Sequence, residues 1–296
     1  MKINRRDLLK LAGFGGIVMA SGMGRMGSWA KAAGENDFLF VQLSDTHWGF
    51  SGPPINPDST GTLKKAVATV NGLQPQPDFI VFTGDLTHVT DDDKDRRTRM
   101  NQFREIISQL KVKDIKFMPG EHDAGLDEGE AFQELFGKTH YTFDHKGVHF
   151  IVIDNVSDPT SAIGDKQLEW VSEDLKQRDK DAPIVVFTHR PLFDLYPDWD
   201  WFTRDGNKVL EMLKPFSQVA VFNGHIHQEN HQKIGNIFHH AAKGLMFPLP
   251  APGSVPKKNP IPWDPAQPYK GLGFRRVGVE IKPTEITLTE FGVQGG

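Results

Sequence analysis

The feature that most constrains the fold is a series of short runs of β-branched and aromatic residues, each followed closely by Asp, His or Gly. Such runs are typical of strands that are buried on both faces of a sheet. Helical patterns lie between several of them, and this alternation predicts an α/β fold with a largely parallel sheet. The predicted strands are 38–41, 79–82, 115–118, 148–153, 184–187 and 219–222, and the predicted helices are 60–73, 98–110, 165–178 and 207–213.

Polar residues at the ends of these strands predict a metal site. Asp45 and His47 follow the first predicted strand, and His225 and His227 follow the last. Ligand sites of open α/β sheets form where parallel strands end. In an extended segment, residues two apart point to the same face, so each pair can bind one ion or two neighbouring ions. Carboxylate and imidazole groups are hard-to-borderline metal ligands.

The composition excludes several classes of protein. The 296 residues include no Cys, which rules out disulfides, thiolate zinc sites, iron–sulfur clusters and thiol nucleophiles. With 38% hydrophobic residues and a formal net charge of −4, the chain is too apolar and too weakly charged to be disordered. Nothing is basic enough to predict nucleic acid as the main partner.

Residues 1–32 resemble a bacterial twin-arginine signal peptide. Arg5 and Arg6 precede an apolar stretch at 11–23, and Ala30-Lys31-Ala32 offers a cleavage site between small residues. The resemblance implies export through the twin-arginine machinery to the periplasm or medium. The short apolar stretch is interrupted by Gly, which favours a cleaved leader without a stable membrane span, although an uncleaved N-terminal anchor stays open. Without these residues the formal net charge is −9.

Five motifs between residues 38 and 227 resemble, in their order, those of the calcineurin-like metallophosphoesterases. They are Asp45-x-His47, Gly84-Asp85-x-x-His88, Gly120-Glu121-His122-Asp123, His189 and Gly224-His225-x-His227. The resemblance implies a four-layer α/β/β/α sandwich with two metal ions at the sheet edge. It also predicts one domain over residues 33–296, which hydrolyses a small-molecule phosphate ester with a bridging hydroxide.

The resemblance implies a role for each motif residue. The first metal would be bound by Asp45, His47 and His227, the second by Glu121, His189 and His225, and both by Asp85. His122 would protonate the leaving group, since a histidine titrates near neutral pH, with Asp85 and Asp123 as the candidates for orienting it. His88 is expected either to contact substrate or, as the favoured alternative, to hydrogen-bond to the site.

Glu121 departs from the family pattern, which has Asn at this position. A carboxylate adds a negative charge that weakens the Lewis acidity of two divalent ions, unless one ion is trivalent. The two ions are therefore expected to be Fe, Mn or Zn, with a ferric–divalent pair as one solution. Alternatively, Glu121 is turned aside or protonated and the second site is weak. The protein would then be a non-catalytic or weakly active binder of a metal or phosphorylated ligand.

Two features slightly favour phosphodiesters over phosphomonoesters. The charge of Glu121 should repel a dianionic monoester more than a monoanionic diester. The aromatic residues between Phe193 and Phe202 are either a packed loop or a lip that receives a second organic group. Residues 248–268, which contain eight of the twenty prolines, are expected to form an ordered loop over the sandwich that borders the entrance of the site.

Overall fold

The computed structural model describes residues 17–20, 37–52, 55–281 and 284–293. The expected signal peptide therefore lies outside the described residues, apart from 17–20. Within the described ranges, no helix is long and apolar enough to cross a membrane.

Within the described residues, the secondary structure comprises strands β1–β12 and helices α1–α6, with one short 3₁₀ helix. In chain order these elements are β1 (Ile17–Ala20), β2 (Phe38–Leu43), α1 (Ser59–Gly72), β3 (Phe79–Thr83), α2 (Asp93–Ile107), β4 (Ile115–Met118), α3 (Glu121–Ala124), α4 (Glu130–Phe136), β5 (Tyr141–His145), β6 (Val148–Val152), α5 (Asp165–Lys176), β7 (Ile184–Phe187), the 3₁₀ helix (Pro197–Trp199), α6 (Gly206–Leu213), β8 (Val219–Asn223), β9 (Asn230–Ile234), β10 (Ile237–Ala241), β11 (Gly273–Ile281) and β12 (Thr284–Gly292).

The strands form two six-stranded sheets. The first has the order β1-β12-β11-β2-β3-β4 and the second β5-β6-β7-β8-β10-β9. Strands β2, β3 and β4 are parallel, as are β6, β7, β8 and β10. Antiparallel strands flank both parallel blocks. The predicted parallel arrangement is thus confirmed for the central strands, whose carboxyl ends carry the polar motifs.

Alternation along each central strand produces the layers. In β2, Phe38 and Phe40 point between the two sheets, whereas Val41 and Leu43 point outward to a core that includes residues of α1, α2 and α4. On the second sheet, the outward residues pack on α5 and α6. Because both faces of the central strands are covered, β2, β3, β6, β7 and β8 are buried along their whole length. The expected α/β/β/α sandwich is confirmed.

Aromatic rings hold the two sheets against each other. Phe40 stacks on Phe79 within its own sheet, with ring centroids 5.0 Å apart. It meets Phe187 and Phe222 of the opposite sheet edge-on, with centroids 5.7 Å apart in each case. Each such pair contributes about 0.5–1.5 kcal/mol beyond its buried area. These contacts fix how the ends of the two parallel blocks face each other.

Some elements differ from the sequence prediction. Helix α2 begins five residues before the predicted start, because Asp92 caps it by accepting a hydrogen bond from the Asp95 amide at 2.7 Å. The predictions missed α3, α4, β5, the 3₁₀ helix, β9 and β10, which are short and lack a long periodic pattern. They also missed β1, which lies within the expected leader and pairs with β12. Residues 248–268 contain neither helix nor a regular strand, as their prolines predict.

Gly224 is needed where β8 passes close to the first sheet. A Cβ atom there would lie 2.1 Å from Ser44 Oγ and 2.9 Å from the Thr83 carbonyl oxygen. We expect Gly224→Ala to lower the free energy of unfolding by about 1–3 kcal/mol, because the added methyl group overpacks this position. Urea denaturation measures this difference. Gly72→Ala, where no atom lies within 4 Å of the new Cβ, is the control and should be no less stable. Equal stabilities of the two variants would contradict this packing.

Candidate metal centre

The seven expected ligands come together in two adjacent groups. They lie in the turns after β2, β3, β4, β7 and β8. Within each group, the possible ligand atoms are within 4.8 Å of one another. One group is Asp45, His47, Asp85 and His227, and the other is Glu121, His189 and His225.

The distances in the first group suit a shared ion. His47 Nε2 lies 3.1 Å from His227 Nε2, which lies 3.3 Å from Asp45 Oδ1. Metal–ligand bonds of about 2.0–2.2 Å place neighbouring ligand atoms roughly 3–3.5 Å apart. The same side chains are almost fully buried, so water does not compensate their charges.

In the second group, Glu121 lies between two histidines. Its Oε2 is 2.9 Å from His189 Nε2, and its Oε1 is 2.8 Å from His225 Nδ1. Asp85 Oδ2 is 3.4 Å from both His47 Nε2 and His189 Nε2, so that it lies between the two groups. This is the position that a bridging carboxylate requires.

Each of the four histidines has a hydrogen-bond acceptor on the side away from the cluster. His189 Nδ1 donates to the Thr83 carbonyl and His227 Nδ1 to the Phe247 carbonyl, both at 2.7 Å. His225 Nε2 donates to the Asp200 carbonyl at 3.1 Å, and His47 Nδ1 lies 3.3 Å from His88 Nδ1. Such outer bonds leave the inner nitrogen with its lone pair facing the cluster. The donor set therefore fits metal ions.

The carboxylates affect the four histidines unequally. Burial lowers the pKa of His189, yet the charges of Asp85 and Glu121 raise it well above its usual value. The pKa of His227 is also raised, because Asp45 outweighs the effect of burial. Burial instead lowers the pKa values of His47 and His225, so these two rings are neutral and can act as donors.

The local backbone is not the extended segment that the two-residue spacing predicted. The φ angles of Asp45 and His47 are 53° and 40°, and those of His225 and His227 are 67° and 51°. Asp85 is also left-handed, with φ of 49°. Such conformations cost about 1–3 kcal/mol each and cluster at functional sites. Through sharp turns after the strands, Asp45 and His47 reach the same group, whereas His225 and His227 reach the two adjacent groups.

Asp123 joins the turn after β3 to the turn after β4. Its carboxylate accepts hydrogen bonds from the amides of Leu86, Thr87 and Gly120 at 2.8–3.0 Å. Burial and the charge of Asp85 raise the pKa of Asp123 to about 7. Asp123 therefore positions the turns that carry Asp85 and Glu121.

His122 is oriented by backbone. Its Nδ1 accepts a hydrogen bond from the Val89 amide at 3.2 Å, whereas Asp85 Oδ1 binds the backbone amide of His122 at 2.9 Å. Neither Asp85 nor Asp123, the two candidates from the sequence, contacts the ring through a described hydrogen bond. Because Nδ1 accepts, Nε2 carries the proton in the neutral ring.

His88 supports the ligand His47. Besides the contact between their Nδ1 atoms, the His88 ring packs on Phe50 with centroids 3.9 Å apart. Burial and the neighbouring His122 lower the pKa of His88 to about 4, which keeps the ring neutral. The structure therefore favours the hydrogen-bonding alternative for His88 over substrate contact.

Arg190 is a residue of the site that the sequence reasoning missed. Its Nη2 lies 3.7 Å from Glu121 Oε1, whereas its Nη1 lies 2.5 Å from the Asp200 carboxylate and donates to the Asp200 carbonyl at 3.0 Å, so that two carboxylates share its positive charge. Burial alone would raise the pKa of Glu121, but His225, Arg190 and His189 lower it well below its usual range. Glu121 is thus neither turned aside nor protonated. The only signal for Arg190 was its place directly after His189.

The aromatic residues after β7 form a packed loop. Trp199 and Trp201 are buried in a cluster with Ile226 and Ala241. Phe193 packs partly on the outer core of the second sheet. Of the two interpretations left open by the sequence, the packed loop fits these residues better than a substrate lip.

The motifs, the sandwich and the paired clusters agree with a match between residues 38–229 and the family model described as calcineurin-like phosphoesterase. The chain belongs to this family. The expectation from the five motifs is thereby confirmed. As a calcineurin-like phosphoesterase it is a phosphoric ester hydrolase of the metallophosphoesterase type.

Curated relatives of this calcineurin-like phosphoesterase include phosphatases and phosphodiesterases. A serine/threonine-protein phosphatase of Rattus norvegicus is 28% identical over 220 residues, covering 64% of this chain and 70% of the relative. A probable cyclic nucleotide phosphodiesterase of Rhodopseudomonas palustris is 24% identical over 251 residues, covering 75% and 85%. A probable glycerophosphodiester phosphodiesterase of Arcobacter nitrofigilis is 24% identical over 205 residues, covering 64% and 72%.

Solved structures share the fold. A dimetal phosphatase of Danio rerio superposes with a TM-score of 0.58 at 13% identity, covering 88% of this chain and 99% of the other. A purple acid phosphatase from yellow lupin (Lupinus luteus) also gives 0.58, at 14% identity, covering 88% of this chain but only 52% of the lupin chain. At these identities the likeness concerns the fold alone.

Arg190 should set the affinity of the site for anions. We expect Arg190→Gln to raise the Kd for inorganic phosphate by about tenfold, because the site loses one positive charge in a region of low dielectric constant. Adding Glu121→Asn should restore the affinity, because the net charge returns. Isothermal titration calorimetry on metal-loaded protein measures both. Lys208→Gln, at an exposed ion pair with Asp165, is the control. An unchanged Kd for Arg190→Gln would contradict the idea that Arg190 compensates the charge of Glu121.

Proposed function

We propose that this protein hydrolyses phosphate esters, with phosphodiesters favoured, at a centre of two metal ions. The observation that carries the proposal is the donor arrangement, in which the inner nitrogens of four histidines face three buried carboxylates. In this proposal one ion is bound by Asp45, His47 and His227, the other by Glu121, His189 and His225, and Asp85 binds both.

Two such ions supply Lewis acidity toward the phosphoryl oxygens and make a water molecule acidic enough to serve as the nucleophile. Their identity is proposed from the donors, which suit Fe, Mn or Zn. The positive charge of Arg190, which the Asp200 carboxylate shares, offsets part of the negative charge of Glu121. A divalent pair and a ferric–divalent pair both fit the donors.

His122 is the proposed general acid. The Val89 amide occupies Nδ1, which leaves the proton of the neutral ring on Nε2. The ring lies beside the first group, with its centroid 4.6 Å from that of His47. From this place the Nε2 proton can be donated to the departing alkoxide.

The observations that favour a diester differ from those expected from the sequence. Arg190 reduces the repulsion of a dianion by Glu121, and the aromatic loop that was to hold a second organic group is packed. Two of the relatives are nevertheless named as probable phosphodiesterases. A cavity beside His227 offers room for an organic group. A kcat/KM that is no higher for bis-aryl than for mono-aryl phosphate would contradict the preference.

We also propose export by the twin-arginine machinery, supported by Arg5, Arg6 and the apolar stretch that follows. Transport of a folded protein would allow metal loading in the cytoplasm. Fusion of residues 1–36 to a reporter tests this. Export that continues after replacement of both arginines by lysine would contradict it.

Asp85 should be the least replaceable ligand, because both ions lose a donor when it is changed. We expect Asp85→Asn to reduce turnover of an aryl phosphate diester by at least a hundredfold or so and to lower the metal content, with the fold intact by circular dichroism. Asp165→Asn, at a side chain 96% exposed, is the matched control. If Asp85→Asn kept both metals and normal turnover, the dinuclear assignment would be wrong. An inert wild-type protein with one metal would favour the binding-protein alternative.

His122→Ala should lower kcat by roughly a hundredfold or more while the metal content is kept, because general-acid assistance is lost. The loss should be smaller for nitrophenyl esters, whose leaving groups need no proton, than for alkyl esters. Parallel kcat measurements on the two substrate types check this. Equal losses for the two types would argue against the acid role, and loss of metal would make His122 a ligand.

A further inference from the structure

We infer that the cavity next to the first metal group binds an uncharged hydrocarbon substituent of the phosphate ester. This inference rests on the proposed hydrolysis and adds a substrate class to it. The cavity has a volume of about 680 Å³, which is typical of sites for small organic ligands. It lies between the end of the second sheet and residues 243–272, the segment that connects β10 to β11.

The cavity begins at the metal centre. His227, a proposed ligand of the first ion, also lines the cavity. Next to it, Phe247 stacks on His227 with ring centroids 4.5 Å apart and on His47 at 5.0 Å. A phosphoryl group at the first ion would therefore place one of its ester substituents against Phe247 and into the cavity.

The lining is mainly apolar. It includes the side chains of Met246, Phe247, Leu249, Ile261 and Trp263. Ile261 is 42% exposed, which is unusual for a large hydrophobic residue in this protein.

The charged groups of the lining are partly neutralised. The lining contains two acids, Glu229 and Asp264, and two bases, Lys243 and Lys270, which sum to zero. Lys243 Nζ lies 3.0 Å from Glu229 Oε2, so these two charges compensate each other directly. Burying a further unpaired charge in such a cavity would be costly. The composition therefore favours a hydrocarbon group over a second phosphate.

The walls are held in place by hydrogen bonds to the backbone of 243–272. Gln228 Nε2 donates to the Leu249 carbonyl at 2.9 Å, and Asn56 Nδ2 donates to the Pro268 carbonyl at 2.8 Å. The His227–Phe247 bond at 2.7 Å connects the segment to a metal ligand. Because its walls are already ordered, the cavity can bind a ligand without a large entropic cost.

Most of the lining residues follow residue 229, where the family match ends. In this proposal the residues within the family match provide the phosphoryl chemistry, and the segment after them contacts the organic group. This division explains why the proline-rich stretch is structured and anchored although it contains no helix.

The test uses n-alkylphosphonates from methyl to hexyl, which are not hydrolysed, in titration calorimetry with the metal-loaded full chain. Each added methylene should lower the Kd about fourfold, as expected for burial of a CH₂ group. A Kd that does not fall with chain length would overturn the inference. The Kd of methylphosphonate reports the metal centre separately, so failure of the proposed function would appear as weak binding of the whole series with the slope retained.

A variant that fills the cavity provides a second test of the inference. Ala251 lines the cavity at an exposed position, where a larger side chain is sterically permitted. Ala251→Phe should abolish the gain from long chains and leave the Kd of methylphosphonate unchanged. Val255→Ala changes an exposed apolar side chain on the same segment outside the cavity, and is the control. If the Kd still fell by the same factor per methylene in Ala251→Phe, the alkyl group would bind outside this cavity, which would contradict the inference.

Discussion

The mutual repulsion of three carboxylates, Asp45, Asp85 and Glu121, is the constraint on which the site depends. Asp45 and Asp85 are almost fully buried, and Glu121 is three-quarters buried. Like charges this close are strongly unfavourable in a poorly hydrated region. Arg190 and, at His189 and His227, bound protons compensate part of this charge, and in the proposed centre two metal ions compensate it through the inner nitrogens of the histidines. The strained turns after the strands are stabilised because the two sheets fix them from both sides.

The charge at position 121 is better understood from the structure than from the motif. Glu121 alone would weaken the Lewis acidity of a divalent pair, which is why the sequence suggested a trivalent ion or a defective site. Arg190, next to His189, brings a partly compensating charge to the same place, which it shares with the Asp200 carboxylate. It also binds the Asp200 carbonyl, which in turn accepts the outer hydrogen bond of His225. The substitution and its compensation thus lie on neighbouring turns.

Much of the fold could be predicted from the apolar runs, and a metal site from the Asp and His pairs at strand ends, whereas the full set of seven residues was implied by the resemblance of the five motifs to the family. The positions of β2, β3 and β8 followed from apolar runs that reflect burial on both faces. The positive φ of Asp45 and His47 could not be predicted, since it results from tertiary contacts between turns. Arg190 was missed for a similar reason, because its effect depends on a neighbour distant in sequence. The cavity under 243–272 likewise requires the anchors from Gln228 and Asn56, which no local pattern encodes.

Anomalous diffraction from crystals of the native, metal-containing protein tests the central claim most directly. The account predicts two peaks per chain. One should contact Asp45, His47 and His227, the other Glu121, His189 and His225, with Asp85 bound to both. A single peak, or a second peak that Glu121 does not contact, would contradict it.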